Sequence, residues 1–173
     1  MDKVKLSIRK PKLSEHKEVA KVIDSEEPLY KKYFSKEHRE WLSIGSFSKI
    51  ALDKKTGWNS LVALYGNKIV GFVSWYIKPN KVVYICSIEV LPAFQHKGIA
   101  SKLLKKVESV TKKKGAIALG AESQKKAFWV RDFNLKYGFR KLTEKDLKKK
   151  PFKGMFKNVT INPYTYVWGK EMK

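Results

Sequence analysis

Thiols, acids and histidines are all scarce in this chain. One cysteine, Cys86, stands among 173 residues, so no internal disulfide can form and no second thiol is available for a CxxC redox or zinc site. Cys86 lies in the apolar run VVYICSIEV and reads as a small core residue, because nothing local would lower its pKa toward a nucleophile's. The three histidines, His16, His38 and His96, have no neighbours at ligand spacing, and no metal is expected. Acidic residues number 16 against 38 lysines and arginines. Long hydrophobic runs are missing too: none approaches the roughly 18 residues of a membrane span. The first residues, MDKVKLSIRKPKLSEH, lack the apolar stretch of a secretory signal, so a cytoplasmic protein without a membrane partner is expected.

What is present is a globular composition. Hydrophobic residues make up 43% and aromatics 13%, enough for a substantial core without cross-links. The length suits one domain, residues 1–173. The formal charge of +22 would attract anions: nucleic acid, an anionic membrane or a phosphorylated cofactor. It is unevenly spread. Glu15, Glu18, Asp24, Glu26 and Glu27 make an acidic early stretch, whereas Lys112–Lys114 and Lys148–Lys150 are dense basic runs. With no nucleic-acid motif beside them, the lysines read as a solvated surface of the kind heat-adapted proteins carry.

Periodicity gives the elements. Val4–Arg9 reads as a strand, and Ser14 as the cap of a helix to about Asp24, with Val19, Ala20 and Ile23 inward and Pro28 ending it. Ser35 would cap a second helix with Trp41, Leu42, Phe47 and Ile50 in the core. Ser60–Tyr65 and Ile69–Ile77 flank a hairpin signal at Gly66-Asn67-Lys68, and Pro79-Asn80-Lys81 turns into Val82–Val90. From Gly98 the period changes to 3.6, with Ile99, Leu103, Leu104, Val107 and Val110 on one face until Gly115. Ala116–Ala121 reads as a buried strand and Lys125–Tyr137 as a helix with Phe128 and Phe133 inward. Phe139–Leu142 and Tyr164–Gly169 read as final strands, and Trp41, Trp58, Trp75, Trp129 and Trp168 as mostly core. The expected fold is an α/β (α+β) domain, one mixed central sheet flanked by about four helices.

The segment with chemical content runs from Ser87 to Ala100. It is a strand, a tight loop and the start of an amphipathic helix. A helix start leaves N–H groups unpaired and carries partial positive charge, which suits a pyrophosphate. Gly98 lets a ligand approach the main chain, Lys97 adds a full charge, and Pro92 removes one strand donor. GxGxxG and GxxxxGK[ST] are both missing, which excludes the Rossmann and P-loop readings.

In this segment the sequence resembles the GNAT (Gcn5-related N-acetyltransferase) superfamily. Gln95-His96-Lys97-Gly98-Ile99-Ala100 matches the family's cofactor motif Q/R-x-x-G-x-G/A between the expected strand and helix. Gly71 and Tyr137-Gly138-Phe139 also agree. PAFQHKGIASKLL is closest to the same segment in ribosomal-protein and protein N-terminal acetyltransferases. The resemblance implies acetyl-CoA (coenzyme A) as cosubstrate. Main-chain amides around Gln95–Ala100 would hold its pyrophosphate, with Ser101 and Asn134 among the binding residues. Ile88, Glu89 and Val90 would pair with the pantetheine arm, and a main-chain N–H near Val90 would polarise the acetyl carbonyl.

Acetyl transfer needs a neutral amine, and amines with pKa values of about 8 to 10 are partly protonated at pH 7. A carboxylate would remove that proton. Glu122, read as the end of its strand, and Glu89, on the cofactor strand, are the two candidates, with Glu122 slightly preferred. The acid is where the sequence departs from the family: Asn134 stands where a tyrosine is common, and Ala127 where an asparagine is. Tyr137 is the nearest phenol, though its place on the helix suits packing. Tyr164, Tyr166 or a solvent proton remain alternatives. The acceptor is an amine on a small molecule or protein, with a neutral or acidic acceptor suiting the charge better than a polyamine. A rival reading is a catalytically weak protein of this fold that binds nucleic acid or the ribosome. Monomer and homodimer stay open.

Overall fold

The computed structural model describes residues 5–25, 28, 32, 51–156 and 163–172. The helix expected after Ser35, with Trp41, Leu42, Phe47 and Ile50, lies outside the described residues, as do Glu26, Glu27 and His38. The elements are β1 (Leu6–Arg9), α1 (His16–Asp24), β2 (Asn59–Tyr65), β3 (Lys68–Ile77), β4 (Val82–Val90), α2 (Ile99–Lys112), β5 (Ala118–Gln124), α3 (Phe128–Lys136), β6 (Arg140–Lys141), α4 (Glu144–Leu147) and β7 (Thr165–Glu171). The strands form one seven-stranded sheet in the order β1-β2-β3-β4-β5-β7-β6. Its pairs β1–β2, β2–β3, β5–β7 and β6–β7 are antiparallel and β4–β5 is parallel. The mixed sheet flanked by helices is the architecture expected from the periodicity; among the described residues there are four helices, of which α4 lies in a stretch expected to be part of a basic loop.

The chain divides into two compact units. The first comprises Met1–Trp75 and Ser87–Val107. In it α1 buries Val19, Val22 and Ile23 against Val62, Leu64 and Phe72 of the sheet. Val22 thus takes the place expected of Ala20, which is only half-buried. Ser14 does not cap α1: it lies inside a 3-10 turn, Leu13–Glu15, and Glu15, at the N-cap position of α1, makes no side-chain cap bond to that helix. The Glu15 carboxylate instead closes the 3-10 turn, accepting from the Lys12 N–H at 2.7 Å and from two Arg9 nitrogens at 2.5 and 2.9 Å, bonds that its charge strengthens.

The β2–β3 hairpin turns at Gly66-Asn67, with Gly66 in the left-handed region at φ 61°. Its register skips at Ala63/Leu64, because Ala63 faces Gly71 and Leu64 faces Ile69. Val70 is therefore the extra residue of a bulge, and its carbonyl accepts the N–H of Leu91 at 2.9 Å. Gly71 is required by proximity. A Cβ there would come within 3.0 Å of Ile99 Cγ2, 3.2 Å of Leu103 Cδ1 and 3.3 Å of Ala63 Cβ. Its absence lets α2 lie close on the strand.

The second unit comprises Tyr76–Cys86 and Glu108–Lys173. Val82, Ala118, Phe152, Met155 and Val167 form its core, with Tyr84 and Phe156 packed against it. The parallel register runs from Val82↔Ala118 to Ile85↔Ala121, and both strands continue beyond it, β4 to Val90 and β5 to Gln124. Trp168 is fully buried and donates its Nε1–H to Ser123 Oγ at 2.7 Å, which removes the cost of an unpaired indole N–H. Trp75 is buried as expected, but Trp58 and Trp129 are only half-buried.

Two expectations about α3 and β5 fail. Phe128 is exposed and Phe133 half-buried, because α3 is short and weakly amphipathic and its fully buried residue is Asn134. β5 does not stop at Ala121 but runs to Gln124, held by β7 partners to the end. Glu122 is thus inside the strand, paired with Val167. The polar tail AESQ hid that extension from a hydrophobicity reading.

Candidate active site

After β4 the chain makes a 3-10 turn, Pro92–Phe94, then a loop into α2. His96 and Gly98 both have positive φ, 59° and 74°. For a non-glycine residue this is an uncommon backbone state. The loop is braced from inside. Gln95 Nε2 donates to the Val90 carbonyl at 3.1 Å, and Phe94 N–H donates to the Leu91 carbonyl at 2.8 Å. Lys97 Nζ donates to the Ala93 carbonyl at 3.1 Å and stands 5.1 Å from the Phe94 ring centroid. Its charge, expected to reach out toward phosphate, is thus folded back on the turn. His96, Lys97 and Gly98 are exposed, Ile99 is buried, and Ala100 and Ser101 are half-buried.

Lys102 N–H is bonded to the Gly98 carbonyl at 3.1 Å. The amides of Gly98, Ile99 and Ala100 precede that first helical bond and have no acceptor within the helix. A Cβ added to Gly98 would meet nothing within 4 Å, so the space beside this main chain is open and glycine is needed for its φ. An open cradle beside first-turn amides is the donor arrangement a pyrophosphate takes, and coenzyme A carries such a group.

The carboxylates differ in setting. Glu89 is half-buried and accepts from Ser87 Oγ at 3.2 Å. Glu122 is exposed, and its Oε2 accepts a 2.8 Å hydrogen bond from the Tyr84 hydroxyl. Burial, reinforced by the Glu122 charge, pushes the Tyr84 phenol well above its ordinary range, so Tyr84 keeps its proton and serves as donor. Tyr76 lies 5.3 Å from Tyr84, ring to ring, and burial raises its phenol as well. Sequence reasoning missed Tyr84. The signal was a phenol inside a β run, on the same face as Glu122 once Tyr84↔Gly120 is known as the register.

Tyr137, at the C-cap of α3, stacks on Phe133 at 4.7 Å, which is the packing role its position suggested. Asn134 is buried, and its Nδ2 has no hydrogen-bond partner among the described residues. Tyr164 is exposed, and Tyr166 carries Lys141 Nζ at 3.8 Å and Lys125 Nζ at 5.5 Å over its ring. Among the described residues no three His, Cys, Asp or Glu side chains cluster as a metal would require, and no helix is long and apolar enough to cross a membrane.

The acetyltransferase (GNAT) family model matches residues 20–139, which span the braced turn and Glu122. The chain belongs to the GNAT family. No curated protein matches it by sequence. Among solved structures, this GNAT chain is similar to the PaiA N-acetyltransferase of Thermoplasma acidophilum in complex with coenzyme A, with a TM-score of 0.73 and 18% identity over 97% of this chain and 99% of that one. It is also similar to Ard1 of Thermoplasma volcanium, at TM-score 0.68 and 13% identity over 97% and 98% of the two chains. The IAA acetyltransferase of Bacillus cereus gives 0.64 and 17%, over 97% and 100%. At these identities the likeness concerns the fold, and a shared fold does not fix the acceptor.

Proposed function

We propose that the chain, as one N-acetyltransferase domain, transfers an acetyl group from acetyl-CoA to a primary amine by direct attack of the amine on the thioester. The observation that carries this reading is the turn at His96–Gly98: left-handed, open beside its main chain, and running straight into α2. Acetyl-CoA, when bound, supplies the activated acyl group. The amides from Gln95 to Ala100 and the first turn through Ser101 bind its pyrophosphate, and the helix start offsets the phosphate charge. Ile88, Glu89 and Val90 would receive the pantetheine arm, and the family resemblance adds Asn134 to the binding residues. A main-chain N–H near Val90 orients the acyl carbonyl.

Glu122 takes the proton from the acceptor ammonium, and the Tyr84 hydroxyl fixes the carboxylate so that one oxygen stays directed at the amine. With Asn134 in the usual tyrosine position, the thiol leaving group takes its proton from water. The similarity of PAFQHKGIASKLL to protein N-terminal acetyltransferases supports a peptide α-amine among the acceptors.

The test is thiol release from acetyl-CoA with a broad amine panel, run on the wild type, Glu122→Gln and Glu89→Gln. Glu122→Gln is expected to slow turnover about 100-fold while coenzyme A affinity by calorimetry is retained. Full activity in Glu122→Gln with loss in Glu89→Gln would transfer the base to Glu89. Absence of coenzyme A binding by the wild type would remove the whole reading.

A further inference from the structure

Near Glu122 stands a charge of opposite sign that acetyl transfer does not use. Lys78, the residue after β3, holds its Nζ 5.3 Å from the Tyr76 ring centroid and 5.8 Å from that of Tyr84. The two rings are tilted by 36° to one another, and Phe156 packs edge-on against Tyr84 at 5.8 Å. The Tyr84 hydroxyl donates to Glu122. An ammonium and a carboxylate therefore both adjoin one patch of aromatic rings. Among the described residues neither is ion-paired within 4 Å, with each other or with a third group. The side chain of Lys78 makes no hydrogen bond there, although the residue is half-buried.

A site evolved for a bare amine or a polyamine would leave its aromatic faces open to the incoming cation, since ring faces attract ammonium groups. Here a lysine already covers them and would repel a second cation. A ligand satisfies both charges at once only if it is itself dipolar, with its amine toward Glu122 and an anion toward Lys78. The overall charge of +22 favours arrival of such an acceptor over a polycation.

We propose that the acceptor is an amine that carries a carboxylate, an amino acid or the N-terminus of an acidic peptide, and that Lys78 selects it by pairing with that carboxylate. This rests on the chain acting as an amine acetyltransferase. Lys78 is a specificity-determining residue; Glu122 remains the group that touches the reacting amine.

The experiment measures kcat/KM by thiol release for matched pairs: 6-aminohexanoate against hexylamine, glutamate against its diamide, and a tetrapeptide beginning with Asp against the same peptide beginning with Asn, with spermidine alongside. In the wild type the acid member of at least one pair is expected to be preferred tenfold or more, and the pair that shows it distinguishes a free amino acid from a peptide. That ratio should fall at least tenfold in Lys78→Met and recover in Lys78→Arg. Both members of a pair are measured in one protein sample, so partial misfolding cancels from the ratio. Ratios at or below one in every wild-type pair, a preference for spermidine, or the same ratio in Lys78→Met as in the wild type would each overturn the inference while leaving acetyl transfer intact. Thiol release from no amine would remove both.

Discussion

Gly71→Ala tests whether close packing of α2 on the sheet holds the cofactor turn in place. Carbon atoms in a core settle at about 3.5–4.0 Å. The added methyl would find three carbons nearer than that, at 3.0, 3.2 and 3.3 Å. Two of them belong to Ile99 and Leu103, buried side chains on the first two turns of α2, and the third to the neighbouring strand. The Ile99 and Leu103 side chains must therefore give by a few tenths of an ångström. Overpacking of this kind costs about 1–3 kcal/mol. The smaller conformational entropy of unfolded alanine offsets about 0.4–1 kcal/mol of that. The net expectation is about 1–2 kcal/mol lost, a fall in Tm of about 2–8 °C for a chain of this size. Urea denaturation measures the first quantity, and calorimetric titration with coenzyme A should show weaker binding, because Ile99 also begins the anion-binding turn. A variant as stable as the wild type, with unchanged affinity, would refute the claim that Gly71 is retained to admit the helix.

Two further predictions concern titratable groups away from the turn. Hydrogen bonds from Arg9, assisted by the Lys12 amide, hold the Glu15 carboxyl down from its ordinary 4.5 to about 2. A depressed carboxylate stabilises the fold above the unfolded-state pKa and loses that contribution as pH falls from about 4.5 toward 2. Solvent screening at Arg9, 39% exposed, limits the effect to about 1 kcal/mol. Glu15→Gln should therefore lower stability at pH 7 and leave it little changed near pH 2, by urea titration. Burial raises the Cys86 thiol well above its ordinary range, against the opposing charge of Lys78. Iodoacetamide at pH 8 should modify it more than tenfold more slowly than a free thiol, and denaturant should abolish the difference. Rapid labelling of the folded protein would show an accessible thiolate.

Strong periodicity was legible from residues alone. The apolar runs of β2 to β4 and the 3.6-residue repeat of α2 gave elements whose bounds the structure moves by a residue or two. Local polar structure was not legible: Ser14 reads as a cap, and only the position of Arg9 on β1 draws the Glu15 carboxylate into the 3-10 turn in which Ser14 lies. The end of β5 was missed because its pairing with β7 comes from residues more than 40 positions away, while its own tail is polar. The same limit explains the site. The glycine turn is contiguous in sequence and could be read directly. The Tyr84–Glu122 bond depends on a parallel register that a single strand does not encode, and Lys78 gains meaning only once two tyrosines are known to share a face.

The bulge in the β2–β3 hairpin has a consequence for how the loop can vary. Val70, the inserted residue, anchors Leu91 through its carbonyl, so the length of one hairpin arm sets the point from which the chain departs toward Pro92. Deleting that single residue would restore a regular ladder and also shift the mooring of the segment that begins at Leu91. Variation in this protein should therefore be tolerated at the hairpin tip and penalised in the arm.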